Sequence, residues 1–229
     1  MFVGHLALGF AAKRATPRVS LAVLLTASQL ADVLWPIFLA LGLEQVRIDP
    51  GNTAFTPLDF VSYPYSHSLV MLIVWSLAFA AIYRAATGRN GSVVLVLAAL
   101  VVSHWFLDWI THRPDMPIYP GGPKYGLGLW NSVPLTIAIE GVMFAVGVWI
   151  YLQSTRPRDR IGRWGLVSLL ALLVASYVAN VTNSPPPSVT VIIVGASLGA
   201  VIMTVWSWWA DAHRDVILSR AGTSRAMKK

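Results

Sequence analysis

The segment at residues 92–112, SVVLVLAALVVSHWFLDWITH, is almost wholly apolar in its first half and then carries His104 and Asp108. A helix that crosses the hydrocarbon core of a bilayer needs about 20 consecutive, mostly apolar residues. The segment has this length and this composition. It therefore predicts a membrane-spanning helix with two ionisable side chains in its second half.

The whole chain shares this apolar character. Of its 229 residues, 56% are hydrophobic and 12% are charged, which is far too apolar for a soluble domain of this size. Segments of spanning length occur at about 20–43, 66–86, 92–112, 133–153, 164–182 and 188–210. The first 14 residues, MFVGHLALGFAAKR, would cross only about half of a ~30 Å core. The sequence predicts an all-α polytopic membrane protein, with an N-terminal half-membrane helix and about six transmembrane helices in a bundle.

The basic residues are unevenly distributed between the predicted loops. If the first span starts inside, all but three of the 17 Lys and Arg residues fall on the inner side, the exceptions being Arg47, Arg113 and Lys124. Such asymmetry is the positive-inside signature, and it predicts cytoplasmic N- and C-termini. It also explains the net charge of +7 without nucleic acid, so no nucleic-acid partner is expected.

We expect one integral membrane domain over residues 1–229. It comprises a motif-bearing core at 1–145, additional helices at 146–212 and a cytoplasmic tail at 213–229. The chain contains no cysteine, which excludes disulfides, iron–sulfur clusters and thiolate nucleophiles. The oligomeric state is left open by the sequence.

Six ionisable residues lie within the predicted membrane helices. Such groups are costly in a bilayer and usually face the bundle interior or a water-filled cavity. They are His5 in the half-membrane helix, Asp32 in the first span, His67 at the start of the second, His104 and Asp108 in the third, and Glu140 in the fourth. No span interior contains Lys or Arg, so the three carboxylates need protons or metal ions as counter-charge.

The spacing of His104 and Asp108 indicates a common site. Residues four apart lie on the same face of a helix, and imidazole with carboxylate suits a zinc-type ion, although such a pair also occurs simply hydrogen-bonded. With the topology above, all six residues lie in one layer between the membrane centre and the outer leaflet. We therefore expect a shared polar site and favour a metal site. His112 roughly continues the same face and is either a further ligand or only the helix end.

Four short sequence motifs occur before Glu140, and with it they lie within residues 1–145. They are GHLALGF, LADVLWP, YSHSL and SHWFLDWIT. Together they resemble the YdjM-type bacterial membrane-bound metal-dependent hydrolases, most specifically through Ser66-His67-Ser68 and the H-x3-D-x2-T of His104, Asp108 and Thr111. The resemblance implies a helical membrane hydrolase, more distantly similar to zinc-dependent phospholipase C and the P1-type nucleases. It implies metal ligands at His5, Asp32, His67, His104 and Asp108.

The chain departs from this family pattern in two motifs. Leu34 stands where the family typically has the second aspartate of D-x-D, and Ser62 and Tyr63 stand where H-R-G-x-T-H-S has its first histidine and its arginine. A single metal ion, a second site rebuilt with His112, and loss of catalysis therefore all remain open.

The favoured hypothesis is a metal-dependent hydrolase of the bacterial cytoplasmic (inner) membrane that acts near the outer leaflet. It would hold one or two divalent ions of the zinc type, which activate water and polarise a phosphoryl group. A site at lipid depth favours a membrane lipid or lipid-linked phosphate ester as substrate. Glu140 would act as general base or orient a ligand, and His112, Arg113 and Lys124 would contact the substrate.

Two other functions are compatible with the same residues. A proton- or metal-ion-coupled transporter could use intramembrane Asp, Glu and His as a relay, but it needs polar groups that reach both membrane faces. The inner halves of the later spans are almost free of ionisable residues, which favours a one-sided site. The third hypothesis is a non-catalytic membrane protein with a degenerate metal site.

Overall fold

The computed structural model describes residues 1–182 and 184–217, and most of these are helical. In chain order the helices are α1 (Val3–Ala12), α2 (Leu21–Ser28), α3 (Leu30–Ala40), α4 (Pro64–His67), α5 (Leu69–Thr87), α6 (Ser92–Thr111), α7 (Val133–Ser154), α8 (Arg160–Thr182) and α9 (Val189–Ala212). Three antiparallel strand pairs join the loops: β1 (Gln45–Ile48) with β2 (Leu58–Ser62), β3 (Met116–Pro117) with β4 (Lys124–Tyr125), and β5 (Thr155–Pro157) with β6 (Arg214–Val216).

The predicted cytoplasmic tail, 213–229, falls only partly within this description. Its first part forms β6, whereas residues 218–229 lie outside the described residues. Four of the basic residues behind the topology prediction also lie there: Arg220, Arg225, Lys228 and Lys229.

The spans agree with the hydropathy of the sequence. Helices α5 to α9 are long and apolar enough to cross a membrane, and α2 with α3 makes a sixth span if this bent pair is counted as one. Helix α1 has 10 residues, which at about 1.5 Å per residue is roughly half of a ~30 Å core. The predicted fold class, an all-α polytopic membrane protein, is confirmed.

The first predicted span is bent rather than straight. Helix α2 ends at Ser28, α3 starts two residues later, and their axes differ by 61°. Gln29 between them leaves the helical conformation, with φ −108° and ψ 12°. The bend leaves the Ser28 carbonyl oxygen 3.0 Å from His104 Nδ1 and places Asp32 in the first turn of α3. The break thus brings two parts of the chain to the polar residues of α6.

Helix α1 is packed inside the bundle. Its side chains Leu6 and Phe10 are fully buried and contact a cluster that includes Tyr151 of α7 and Leu169 of α8. Helix α1 also packs against α2 and α6. A helix surrounded in this way is apolar on all sides, as the sequence of α1 is. Its neighbours therefore fix the position of its one histidine, His5.

Gly147 of α7 allows α7 to approach α1 closely. A Cβ atom at Gly147 would lie 2.7 Å from Ala7 Cα and 2.8 Å from the Ala7 carbonyl carbon, both of them backbone atoms. We expect Gly147→Ala to lower the free energy of unfolding by about 1–3 kcal/mol, because the added methyl group overpacks this contact.

Gly141 on the same helix provides the matched control. Its Cβ would meet no atom within 4 Å, so Gly141→Ala should raise stability by about 0.5–1 kcal/mol through the helix preference of alanine. Thermal unfolding of both variants in one detergent measures the difference. Equal shifts for the two variants would contradict the close contact between α1 and α7.

Candidate metal centre

Five of the six ionisable residues predicted to lie in the membrane converge in the structure. They are His5 on α1, Asp32 on α3, His67 on α4, and His104 and Asp108 on α6. Four of them are buried, whereas the side chain of Asp32 is 39% exposed. The structure thus brings together the five residues that the family resemblance implies as metal ligands.

Asp108 lies between the three histidines. Its Oδ1 is 2.9 Å from His5 Nε2, and its Oδ2 is 3.0 Å from His104 Nε2 and 3.8 Å from His67 Nε2. Asp32 faces it from α3, with Oδ1 3.4 Å from His67 Nε2 and Oδ2 3.8 Å from His104 Nε2. Around a tetrahedral zinc ion with bonds of about 2.0–2.1 Å, neighbouring donor atoms are roughly 3.3 Å apart. The observed separations lie around this value.

Two groups of three residues have the spacing of metal ligands, and in each the ligand atoms lie within 4.8 Å of one another. The groups are His5, His104, Asp108 and Asp32, His67, His104. Only Nε2 of His104 faces the cluster, since Nδ1 donates to the Ser28 carbonyl oxygen. His104 could therefore serve one ion, and a second ion would have to be held by the other residues of the two groups.

The chemistry of His104 and Asp108 fits a bound cation. His104 Nδ1 must carry the ring proton in the neutral form, because a carbonyl oxygen can only accept. His104 Nε2 then presents a lone pair 3.0 Å from Asp108 Oδ2, which also only accepts when ionised. Although the two atoms are close, Nε2 is buried and makes no hydrogen bond within the described part of the chain. Two buried acceptors at this distance need a cation between them, either a proton or a metal ion.

The amino group of Met1 is a further neighbour of the cluster. It donates to Asp108 Oδ1 and, at 3.2 Å, to Thr111 Oγ1, so Met1 lies inside the bundle. Thr111, the last residue of the H-x3-D-x2-T pattern, also donates to the Asp108 carbonyl oxygen at 3.2 Å. The orientation of both termini relative to the membrane remains a prediction.

Glu140 lies beside the start of α1 rather than among the converging ligands. Its Oε2 accepts hydrogen bonds from the backbone N–H groups of Phe2 at 2.8 Å and Gly4 at 3.1 Å. Its Oε1 is buried and has no hydrogen-bond partner among the residues that the structure describes. Glu140 therefore anchors the helix that carries His5, and one of its oxygens is left for another role.

The residues predicted to contact substrate already have partners in the protein. His112 Nδ1 lies 2.9 Å from Asp115 Oδ1, and His112 belongs to neither group of candidate ligands. Arg113 pairs with Asp59 and, at 3.4 Å, with Asp115. Lys124 is exposed and donates to a backbone carbonyl oxygen at 3.2 Å.

Tyr63 and Asp115 form the polar centre of this loop region. Burial and the neighbouring Asp115 raise the pKa of Tyr63 well above its usual value, so its hydroxyl stays a donor, 2.7 Å from Asp115 Oδ1. Burial alone would raise the pKa of Asp115, but hydrogen bonding and charge from His112 and the hydrogen bond from Tyr63 hold it below 3.8. Asp115 is therefore an ionised anchor for His112 at neutral pH.

Glu44 was not indicated by the sequence, because it lies between α3 and β1, outside every predicted span. Its buried carboxylate accepts a hydrogen bond from Ser66 Oγ at 2.7 Å. Ser66 in turn lies 2.6 Å from His67 Nδ1. No local sequence pattern marks Glu44, because its proximity to Ser66 and His67 arises from the fold.

The fold and the cluster together define a polytopic helical membrane protein with a buried histidine–aspartate centre. The chain belongs to the YdjM inner membrane protein family, whose family model matches residues 1–183. The match confirms the family resemblance and extends it from 1–145 through α8. No curated protein and no solved structure shows significant similarity to the chain.

Proposed function

We propose that the chain is a metal-dependent hydrolase of the inner membrane that acts on a lipid-linked phosphate ester. The observation that carries the proposal is the pair of facing acceptors, His104 Nε2 and Asp108 Oδ2, buried 3.0 Å apart. His67 and Asp32 place a second nitrogen and oxygen 3.4 Å apart in the same cluster. One proton could neutralise a single pair, whereas two adjacent pairs favour a divalent ion.

The proposed ligands of a zinc-type ion are Asp32, His67, His104 and Asp108, with His5 completing the set or serving a second ion. When bound, such an ion lowers the pKa of a coordinated water and polarises a phosphoryl oxygen. Ser28 holds the tautomer of His104 through its carbonyl oxygen. Asp32, as the one partly exposed member, marks the side on which substrate and water would approach.

We assign the proton-transfer role to Glu140 through Oε1, the oxygen that has no partner. Its Oε2 is held by two backbone amides, so the carboxylate has a fixed orientation. Lys124, as an exposed cation of the same loop region, would meet the phosphate group, with His112 beside it. Arg113 would have to release one of its two aspartates to do the same.

An apolar cleft of about 390 Å³ supports a substrate with a hydrocarbon chain. It lies between α7 and α8, where Ile137, Val174 and Val178 line it, and it reaches Val3 at the start of α1. Val3 is two residues from His5 in the sequence. The cleft therefore borders the helix that carries His5, and we propose that a lipid tail lies in it. The positive-inside distribution of Lys and Arg supports an outer-leaflet location for this end of the bundle.

The packing below the cluster favours a hydrolase over an ion-coupled transporter. On α1, the fully buried side chains Leu6 and Phe10 follow His5. The next charged residue of this helix segment is Lys13, which is buried in an ion pair with Asp211. A transporter would need exchangeable polar groups along this stretch.

We further propose that residues 1–229 form a single membrane domain built around α1.

The test is phosphate release by the purified protein from two substrates, phosphatidic acid in mixed micelles and soluble p-nitrophenyl phosphate. We expect zinc-dependent release that a chelator removes and added zinc restores. Gly141→Phe should fill the cleft and lower the rate on phosphatidic acid by roughly 10- to 100-fold, because a displaced tail misplaces the ester. The rate on p-nitrophenyl phosphate should not change.

Gly199→Phe on α9 is the matched control, because a Cβ at Gly199 also meets no atom within 4 Å. It should leave both rates unchanged. If neither substrate shows chelator-sensitive phosphate release, the proposed hydrolase is overturned. An equal effect of Gly141→Phe on both substrates would overturn the assignment of the cleft to a lipid tail.

A further inference from the structure

Glu44 is a buried carboxylate to which the proposed function gives no role. It is 2% exposed. Its Oε1 accepts hydrogen bonds from the backbone N–H groups of Tyr65 and Ser66, both at 2.8 Å, and its Oε2 accepts from Ser66 Oγ at 2.7 Å. Among the described residues, no basic side chain forms an ion pair with it. Three hydrogen-bond donors are thus directed at one carboxylate, whose two oxygens act as acceptors.

The donors and acceptors along this chain of contacts can have only one order. An ionised carboxylate only accepts, so the single hydroxyl proton of Ser66 points to Glu44. Ser66 Oγ can then only accept from His67 Nδ1, which lies 2.6 Å away. The ring proton of His67 therefore resides on Nδ1, and Nε2 carries the lone pair. That nitrogen faces Asp32 and Asp108, at 3.4 Å and 3.8 Å.

We propose that Glu44 and Ser66 are positioning residues of the metal centre, which act on the ion through His67. The inference rests on the proposed metal site, and it adds a carboxylate–serine–histidine relay to it. The relay fixes the tautomer and the ring orientation of His67, so that Nε2 presents its lone pair to the candidate site. Partners of this kind, hydrogen-bonded to a ligating histidine, typically change metal affinity by 10- to 100-fold.

The relay also connects two elements that carry ligands. Glu44 follows α3, which holds Asp32, and it binds the backbone of α4, which holds His67. Loss of the carboxylate would therefore disturb the relative position of two ligands as well as one tautomer. The corresponding support of His104 is a neutral carbonyl group, that of Ser28. Of the three candidate histidine ligands, His67 is thus the one that is linked, through Ser66, to a charged group.

Ser66→Ala tests the relay because it removes the hydroxyl group and little else. We expect the dissociation constant for zinc, measured by competition with a chelating dye on the full-length protein in detergent, to rise by about 10- to 100-fold. Ser66→Thr keeps the hydroxyl group and should restore affinity to within a few-fold of wild type.

Ser68→Ala is the matched control. Ser68 is buried like Ser66 and lies two residues after it in the sequence. Its hydroxyl oxygen caps α5 by accepting a hydrogen bond from the Met71 N–H at 3.4 Å. Within the described residues, its side chain makes no hydrogen bond to His67. Its substitution should lower thermal stability and leave zinc affinity unchanged. Equal losses of affinity in Ser66→Ala and Ser68→Ala would show that the segment is merely structural and would overturn the proposal.

Glu44→Gln supplies a readout that a structural role would not move. The new amide group donates to Ser66 Oγ, so the hydroxyl proton turns towards His67 Nδ1 and the ring proton moves to Nε2. Nitrogen-15 spectra of histidine-labelled, zinc-free protein should show His67 protonated at Nδ1 in wild type and at Nε2 in Glu44→Gln. A wild-type His67 protonated at Nε2 would overturn the relay.

Zinc binding and the His67 tautomer, measured together, distinguish failure of the relay from failure of the proposed metal-dependent function. If wild type binds no zinc but shows the Nδ1 tautomer, the metal hydrolase fails and the hydrogen-bonded relay stands as a structural fact without its metal. If wild type binds zinc and the tautomer is unaffected by Glu44→Gln, the relay fails while the metal site stands.

Discussion

Replacement of His104 by alanine is expected to weaken zinc binding by more than about 100-fold, which corresponds to more than about 2.7 kcal/mol. His104 belongs to both groups of candidate ligands, and its Nε2 lies 3.0 Å and 3.8 Å from the carboxylates of Asp108 and Asp32. No other residue is shared by the two groups, so neither can hold an ion with three ligands without it. The measurement is metal content per polypeptide after equilibration with a limiting zinc concentration.

Two other histidines serve as controls for this prediction. His213 Nδ1 lies 2.7 Å from Asp159 Oδ2 in an exposed pair. The variant His213→Ala should therefore retain all the metal. Ser62 stands where the family motif has a histidine. The variant His112→Ala tests whether His112 takes the place of that histidine as a metal ligand. Because His112 is paired with Asp115, we expect unchanged metal content. Retention of metal by His104→Ala, or equal loss in His213→Ala, would contradict the proposed centre.

The histidine–aspartate cluster was accessible from the sequence because a membrane makes ionisable residues conspicuous. His104 and Asp108 stand out in an apolar helix, and their spacing places them on one face. The membrane depth that follows from the predicted topology then placed His5 and Asp32 in the same layer as these two residues. Spacing and predicted depth indicated a shared polar site, because the cost of charge in a bilayer removes most of the accidental cases, and the family resemblance implied the set of five ligands. The separations of the donor atoms needed the structure.

The features that were missed depend on contacts which hydropathy does not encode. The bend at Gln29 occurs within an apolar segment and involves no proline at that position, so the segment resembled a straight span. Glu44 lies in a loop, and two of its three donors are backbone amides, which are the same for every sequence. The pairing of Arg113 with Asp59 joins residues far apart in the chain. Such partners follow from the fold and not from local pattern.

Asp211→Ala is expected to lower the free energy of unfolding by about 3–5 kcal/mol, the usual cost of leaving a buried charge without its partner. Lys13 Nζ lies 2.6 Å from Asp211 Oδ2, and both side chains are less than a tenth exposed. Asp211 also accepts from Tyr151 Oη at 2.7 Å and from the Leu21 N–H at 2.9 Å. Thermal and denaturant unfolding in detergent measure the loss.

Asp215→Ala is the control for loss of an acidic residue at the same end of the chain. Its partner Arg156 is 3.8 Å away, and the two side chains are 45% and 73% exposed. An exposed pair of this kind contributes at most about 1 kcal/mol, so this variant should unfold close to wild type. A similar small shift for Asp211→Ala would show that the Lys13 charge finds water or another partner.

The double variant Lys13→Met, Asp211→Leu distinguishes charge from packing. Replacement of both members of a buried ion pair by apolar residues is often neutral, but here the Tyr151 hydroxyl and the Leu21 amide lose their acceptor as well. We therefore expect only partial recovery of stability. Lys13 follows the last residue of α1, so the pair fixes one end of this helix while Glu140 fixes the other. His5 lies between these two anchors, and metal content should consequently fall in Asp211→Ala and recover in the double variant to the extent that stability does.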